Sequence, residues 1–219
     1  RVNVDKVLRS AAHQYLYMAD RLKGTDVFPK TYDVKEHKPE NSSSKWWCSG
    51  FYPGTLFYLY DETGYEELYM EGVRMLKLLE PEQYNVSTHD IGFMMYCSYG
   101  NANRFEPKPE YKDILVESAN SLCTRFRENA GVIQSWNGFR SWHGDKVYDF
   151  PVIIDNMMNL ELLFYAYKVT GNEKYRKVAV SHAENTMKNQ VRDDYSCYHI
   201  VYYDKETGKP IKGETSQGY

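Results

Sequence analysis

The sequence has no excess of positive charge. Its 27 Lys and Arg stand against 30 Asp and Glu, a formal net charge of -3. Nothing in that balance suggests a nucleic-acid partner, which would want a basic patch. No apolar run approaches the roughly 20 residues that span a bilayer, so no membrane-spanning helix is expected. Cysteine is scarce: Cys48, Cys97, Cys123 and Cys197 are widely spaced and form no C-x-x-C pair. This argues against a zinc site and against a dense disulfide framework, and leaves one long-range disulfide open. Strand signals are few. Tyr198–Tyr203 alone has strand-like composition, enough for one arm of a short hairpin. Residue 1 is Arg rather than Met, so a leader segment removed from the N-terminus would leave no trace in this sequence.

What is abundant is aromatic. Of 219 residues, 21 are Tyr, with 4 Trp and 9 Phe. The plain reading is amphipathic packing. The functional reading is a saccharide cleft, where flat rings stack on pyranose faces and hydroxyls exchange hydrogen bonds. The hydrophobic content of 42% supports a sizeable core.

Val4, Val7, Leu8, Ala11, Tyr15, Met18 and Leu22 recur at helical spacing, which predicts an amphipathic helix over 4–22. Lys23–Ser44 is polar, with Gly24, Pro29 and Pro39, and reads as a long loop. Phe51–Tyr60 then predicts a helix, Thr63-Gly64 a tight turn, and Tyr65–Leu79 a second helix. The pattern returns at Leu160–Val169, Thr170-Gly171 and Glu173–Met187. The two Thr-Gly turns lie 107 residues apart. Between them, Ile91–Tyr99 and Glu110–Glu128 predict a further helix pair. The period is therefore a helical hairpin of about 50 residues, and stacked hairpins of that size make solenoids or closed toroids. The expected class is all-α, with about three hairpins in one domain over residues 1–219.

Each first helix of a pair is preceded by a polar or aromatic segment: Trp46-Trp47-Cys48-Ser49-Gly50, then Ser87-Thr88-His89-Asp90, then Trp136, Trp142, His143 and Asp145 leading to Ile154-Asp155-Asn156. In a toroid these helix starts meet on one rim, which would gather Asp90, Asp155 and several Trp rings. Each has a structural alternative. Asp90 and Asp155 both fall where an N-cap would fall, and Asp is among the best caps. His89, Trp136 and Trp142 could serve packing alone. His143 and Asp145 lack a third residue spaced as a metal ligand.

Three segments carry a resemblance. W-x-S-G-F-x-P-G-x-L (Trp47–Leu56), T-H-D-I-G-F (Thr88–Phe93) and I-D-N-M-M-N-L (Ile154–Leu160), in that order, resemble the unsaturated glucuronyl hydrolases of glycoside hydrolase family 88. Arg192–Ser196, His199, Asp204 and the closing Gln217-Gly218-Tyr219 extend it. The resemblance implies an (α/α)6 toroid of which this chain is the N-terminal half. It implies an enzyme that removes a non-reducing-end 4,5-unsaturated uronic acid from lyase-generated oligosaccharides by hydrating the vinyl ether. Asp155 would be the acid/base and Asp90 its partner. His89, Trp47, Trp136, Trp142, His199 and Gln217 would bind substrate. No metal or organic cofactor is implied, and the compartment would be bacterial periplasm or cytoplasm. Two departures stand out: Ser216 where His is usual and Phe57 where Trp is common. An unsaturated rhamnogalacturonyl hydrolase acting on pectin fragments, or a non-catalytic helical-repeat sugar-binding protein with Asp90 and Asp155 as caps, would fit the same residues.

Overall fold

The computed structural model describes residues 3–216. Gln217 lies outside the described residues. The chain is mostly helical. It divides into two compact units, one of residues up to Gln83 with Phe93–Leu115, the other of Tyr84–Gly92 with Val116 onward.

In the first unit, α1 (Val4–Leu22) is capped by Asn3, whose side chain accepts the Lys6 N–H. The segment expected as a loop is instead an antiparallel hairpin, β1 (Phe28–Asp33) with β2 (Lys38–Ser42). Its turn is closed by the Asp33 carboxylate, which accepts the N–H groups of Lys35 and Glu36. The strands are short, largely solvent-facing and contain two prolines, so they lack the apolar alternation by which strands are recognised. Then come α2 (Phe51–Thr63) and α3 (Glu66–Leu79). The expected helix at 91–99 is a π-helix, Gly92–Gly100, continued by α4 (Asn101–Phe105). Next, α5 spans Pro109–Cys123, with Val116 onward belonging to the second unit, and ends earlier than expected.

The second unit holds α6 (Asn156–Thr170) and α7 (Glu173–Gln190). The two Thr-Gly turns are the same local structure twice. Gly64 and Gly171 both sit at φ 70°, a region that L side chains enter only with strain. Each donates its N–H to a tyrosine carbonyl four residues back, Tyr60 or Tyr167, at 2.8 Å. The preceding Thr63 and Thr170 hydroxyls each donate to the carbonyl four residues earlier, at 2.6 Å. Tyr60 and Tyr167 reach forward to Glu66 and Glu173. These contacts turn α2 onto α3 and α6 onto α7.

The all-α expectation needs correction. Four small antiparallel sheets are present among the described residues. Two-residue ladders join β3 (Phe126–Arg127) to β4 (Val132–Ile133) and β5 (Phe139–Arg140) to β6 (Val147–Tyr148). A three-stranded sheet orders β7 (Pro151–Ile153), β8 (Ile200–Tyr203) and β9 (Pro210–Glu214). Residues 200–203 are the strand-like stretch of the sequence. Val152 and Val201 face one cluster with Phe150 and Tyr203, whereas Ile153, Ile200 and Tyr202 face another with Trp136, Phe139 and Tyr148. With both faces covered, every residue of β8 is buried, and no polar alternation marks it. The four cysteines are free thiols. Among the described residues no helix is long and apolar enough to cross a membrane.

Candidate active site

The second unit brings His89, Asp90 and Asp155 together. Asp155 follows β7 and occupies the position before α6, where a cap would sit. Its side chain makes no capping bond, so the carboxylate is left to face His89. His89 Nε2 lies 3.1 Å from Asp90 Oδ1 and 3.6 Å from Asp155 Oδ1. Neither approach lies along the ring N–H direction, so these are close electrostatic contacts rather than linear hydrogen bonds.

Several contacts hold the Thr88–Asp90 segment. The His89 N–H donates to the Ser135 carbonyl at 3.0 Å. The Thr88 hydroxyl donates to Asp90 Oδ2 at 2.6 Å, and the Asp90 N–H donates back to that hydroxyl at 3.1 Å. Buried Arg125 donates to the Val86 and Gln134 carbonyls, at 2.6 and 2.7 Å. Gly92 presses on α6: a Cβ there would lie 2.5 Å from Asn159. Only glycine allows this approach of the Asp90 segment to the helix that begins beside Asp155.

The two carboxylates are displaced in opposite directions. Asp90 is buried, and burial alone would raise its pKa. His89, the Thr88 hydroxyl and the Trp136 indole outweigh that and lower it. For Asp155, burial raises the pKa and the nearby Asp90 charge adds to the rise, while His89 and His199 oppose it. The net direction is upward. The Asp155 side chain is 43% exposed, yet its Oδ1 is shielded from water and accepts no hydrogen bond. One oxygen is dry and the group as a whole remains reachable. One ring nitrogen and two carboxylate oxygens lie within 4.8 Å of one another.

Rings extend from this centre. His89 packs edge-on to Trp136 at 5.8 Å, Trp136 meets Phe139 at 5.3 Å, Phe139 meets Trp142 at 5.2 Å, and Trp142 meets His199 at 4.9 Å. Glu214 anchors the far end of this arc. Its buried carboxylate accepts from the Trp142 N–H at 3.1 Å and the Tyr202 hydroxyl at 2.9 Å, and also from Ser141 and Lys212. His143 and Asp145 do not converge: His143 bonds the Thr215 carbonyl and Asp145 pairs with Arg140. Trp47 belongs to the first unit, where it packs edge-on against Phe51 and Phe93 and is 44% exposed. That unit also has a cavity of about 480 Å³ bounded by α1, the β1–β2 hairpin and α2.

No family model matches the sequence. A curated protein of Formosa agariphila, an unsaturated glucuronyl hydrolase, is 37% identical over 99% of this chain and 53% of its own length. Over nearly its whole length the chain is similar to an unsaturated glucuronyl hydrolase. An unsaturated chondroitin disaccharide hydrolase of Streptococcus agalactiae is 32% identical over 100% of this chain and 54% of its own length. A crystal structure of an unsaturated glucuronyl hydrolase specific for heparin superposes with a TM-score of 0.87 at 38% identity, covering 98% of this chain and 56% of that one. The chain spans about half the length of the curated relatives it matches.

Ser135, Arg125, Phe139 and Glu214 had no signal in the sequence that set them apart. Only Ser135 and Phe139, lying beside Trp136, stood close to a segment already of interest.

Proposed function

We propose that the whole protein is a glycoside hydrolase of the unsaturated glucuronyl hydrolase type. It would remove the 4,5-unsaturated uronic acid from the non-reducing end of lyase-generated oligosaccharides. The observation that carries this reading is the pair of carboxylates on one buried imidazole, one held anionic and the other pushed toward its acid form. Titratable groups displaced in opposite directions mark an acid and its partner. The relatives' names point the same way.

In this reading Asp155 donates its proton to C4 of the sugar as the C4=C5 electrons move to form the new C–H bond. Its carboxylate then takes a proton from the water that attacks C5. The resulting hemiketal opens and the glycosidic bond is lost. Asp90 stays anionic, holds sugar hydroxyls and keeps the Asp155 proton affinity high. His89 lies between them. Trp136 and Trp142 supply stacking walls, Trp47 is a further candidate for substrate contact, and His199 and Gln217 hold substrate or water. The finer architecture is part of the proposal: a single (α/α)6 toroid domain, of which this chain supplies about three hairpins.

The deciding experiment is Asp155→Asn in the full-length protein, followed by the absorbance of the substrate's double bond. Turnover is expected to disappear with the thermal transition unchanged. Ordinary turnover in this variant would refute the assignment.

A further inference from the structure

We propose that Ser135 is a positioning residue for the acid/base pair: its hydroxyl holds the proton of His89 on Nε2, the nitrogen facing Asp90 and Asp155. The inference rests on the acid/base reading of Asp155 given above.

Ser135 and His89 are both fully buried, at 0% exposure, so no solvent competes for the ring. Ser135 is locked on all sides. Its N–H donates to the Pro151 carbonyl at 2.9 Å, and its carbonyl accepts the His89 N–H at 3.0 Å. Its Oγ accepts the Ile153 N–H at 2.9 Å and lies 3.0 Å from His89 Nδ1. A hydroxyl carries one proton and two lone pairs. With Ile153 using one lone pair, the proton is free to point at Nδ1. Nδ1 then accepts, and the ring's own proton must reside on Nε2.

The other side of the ring agrees. Nε2 lies 3.1 and 3.6 Å from carboxylate oxygens of Asp90 and Asp155. A bare lone pair there would face two partial or full negative charges, whereas an N–H is attracted to both. If His89 takes a second proton, the hydroxyl turns and accepts from Nδ1–H through its remaining lone pair. One side chain thus serves both ring states without moving the backbone. Ile153 stands two residues before Asp155, so the same hydroxyl registers the ring against the strand that delivers the acid.

The test uses the full-length protein. ¹⁵N NMR of the wild-type ring is expected to show His89 protonated at Nε2 at neutral pH. Ser135→Ala is expected to lower kcat/KM about 10- to 100-fold, by analogy with the loss of the hydrogen bond that orients a metal-bound histidine. The loss should fall in kcat more than in KM, and the pH–rate profile should shift. Ser135→Cys, which keeps a weaker donor, is expected to recover part of the loss. A bare Nε2 in the wild-type protein would overturn the proposal, and that measurement stands even if the alanine variant does not fold. A Ser135→Ala protein with wild-type kcat and pH profile, alongside an inert Asp155→Asn, would overturn it too. Turnover surviving in Asp155→Asn would instead defeat the acid/base reading and leave the ring measurement as an independent result.

Discussion

His182 offers a stability measurement that follows from the structure alone. It is fully buried on α7, its Nδ1 accepts the Ile133 N–H at 2.9 Å, and its Nε2 faces Asn156 and Thr186 at 3.2 and 3.3 Å. Burial, reinforced by His89, pushes its pKa down from 6.5 to about 3. The unfolded chain therefore takes up a proton near pH 6.5 that the native ring refuses until about pH 3. Stability is fully present above pH 6.5 and drains away as the pH falls toward 3. At 1.36 kcal/mol per pH unit, about 3 kcal/mol is gone by pH 4 and about 5 kcal/mol at the acid limit.

His182→Asn keeps an acceptor near the Ile133 N–H and removes the titration. At pH 7 it should be less stable than wild type by about 1–2 kcal/mol, for the lost Nε2 contacts and the smaller side chain. Near pH 5 the order should invert. Urea unfolding midpoints for both proteins between pH 4 and pH 7.5 would show this. Parallel curves, with a constant difference at every pH, would refute the claim that His182 is held neutral by burial.

In the proposed acid/base reading, Asp90→Asn removes a charge that helps raise the Asp155 pKa, so that pKa should fall and the basic limb of the kcat/KM profile should move to lower pH. Activity near neutral pH should be severely reduced. A variant with an ordinary profile would reduce Asp90 to a structural role. Glu214→Ala should strip acceptors from Ser141, Trp142 and Tyr202 and destabilise the fold by about 3 kcal/mol, measured by thermal or urea unfolding. In the wild-type protein Lys212, Ser141 and Tyr202 outweigh burial and hold Glu214 near 2, so its contribution is present above about pH 4.5 and is lost as the pH falls toward 2.

The two Thr-Gly helical hairpins were legible because each rests on local chemistry. Apolar residues at helical spacing and a Thr-Gly stop with a left-handed glycine need no distant partner. Gly64 and Gly171 adopt the same φ and the same backbone bond as a result. The T-H-D and I-D-N segments stood out as candidate chemistry because their residue types are uncommon together.

The sheets were not legible. Ladders of two or three residues carry no period, and a strand such as Ile200–Tyr203, buried on both faces, looks like any apolar run. Nor could the sequence choose between cap and functional group for Asp155. Residue type and position allowed both, and the two differ in where the side chain turns. The fold puts His89 beside the Asp155 carboxylate, leaves the helix start without a capping bond, and surrounds Asp90 with groups that stabilise its charge. Ser135 was silent for the same reason: its proposed role depends on two residues, His89 and Ile153, that are distant in sequence and meet only after folding. Residue identity set what chemistry was available, and folding set the surroundings that displace the Asp90 pKa downward and the Asp155 pKa upward.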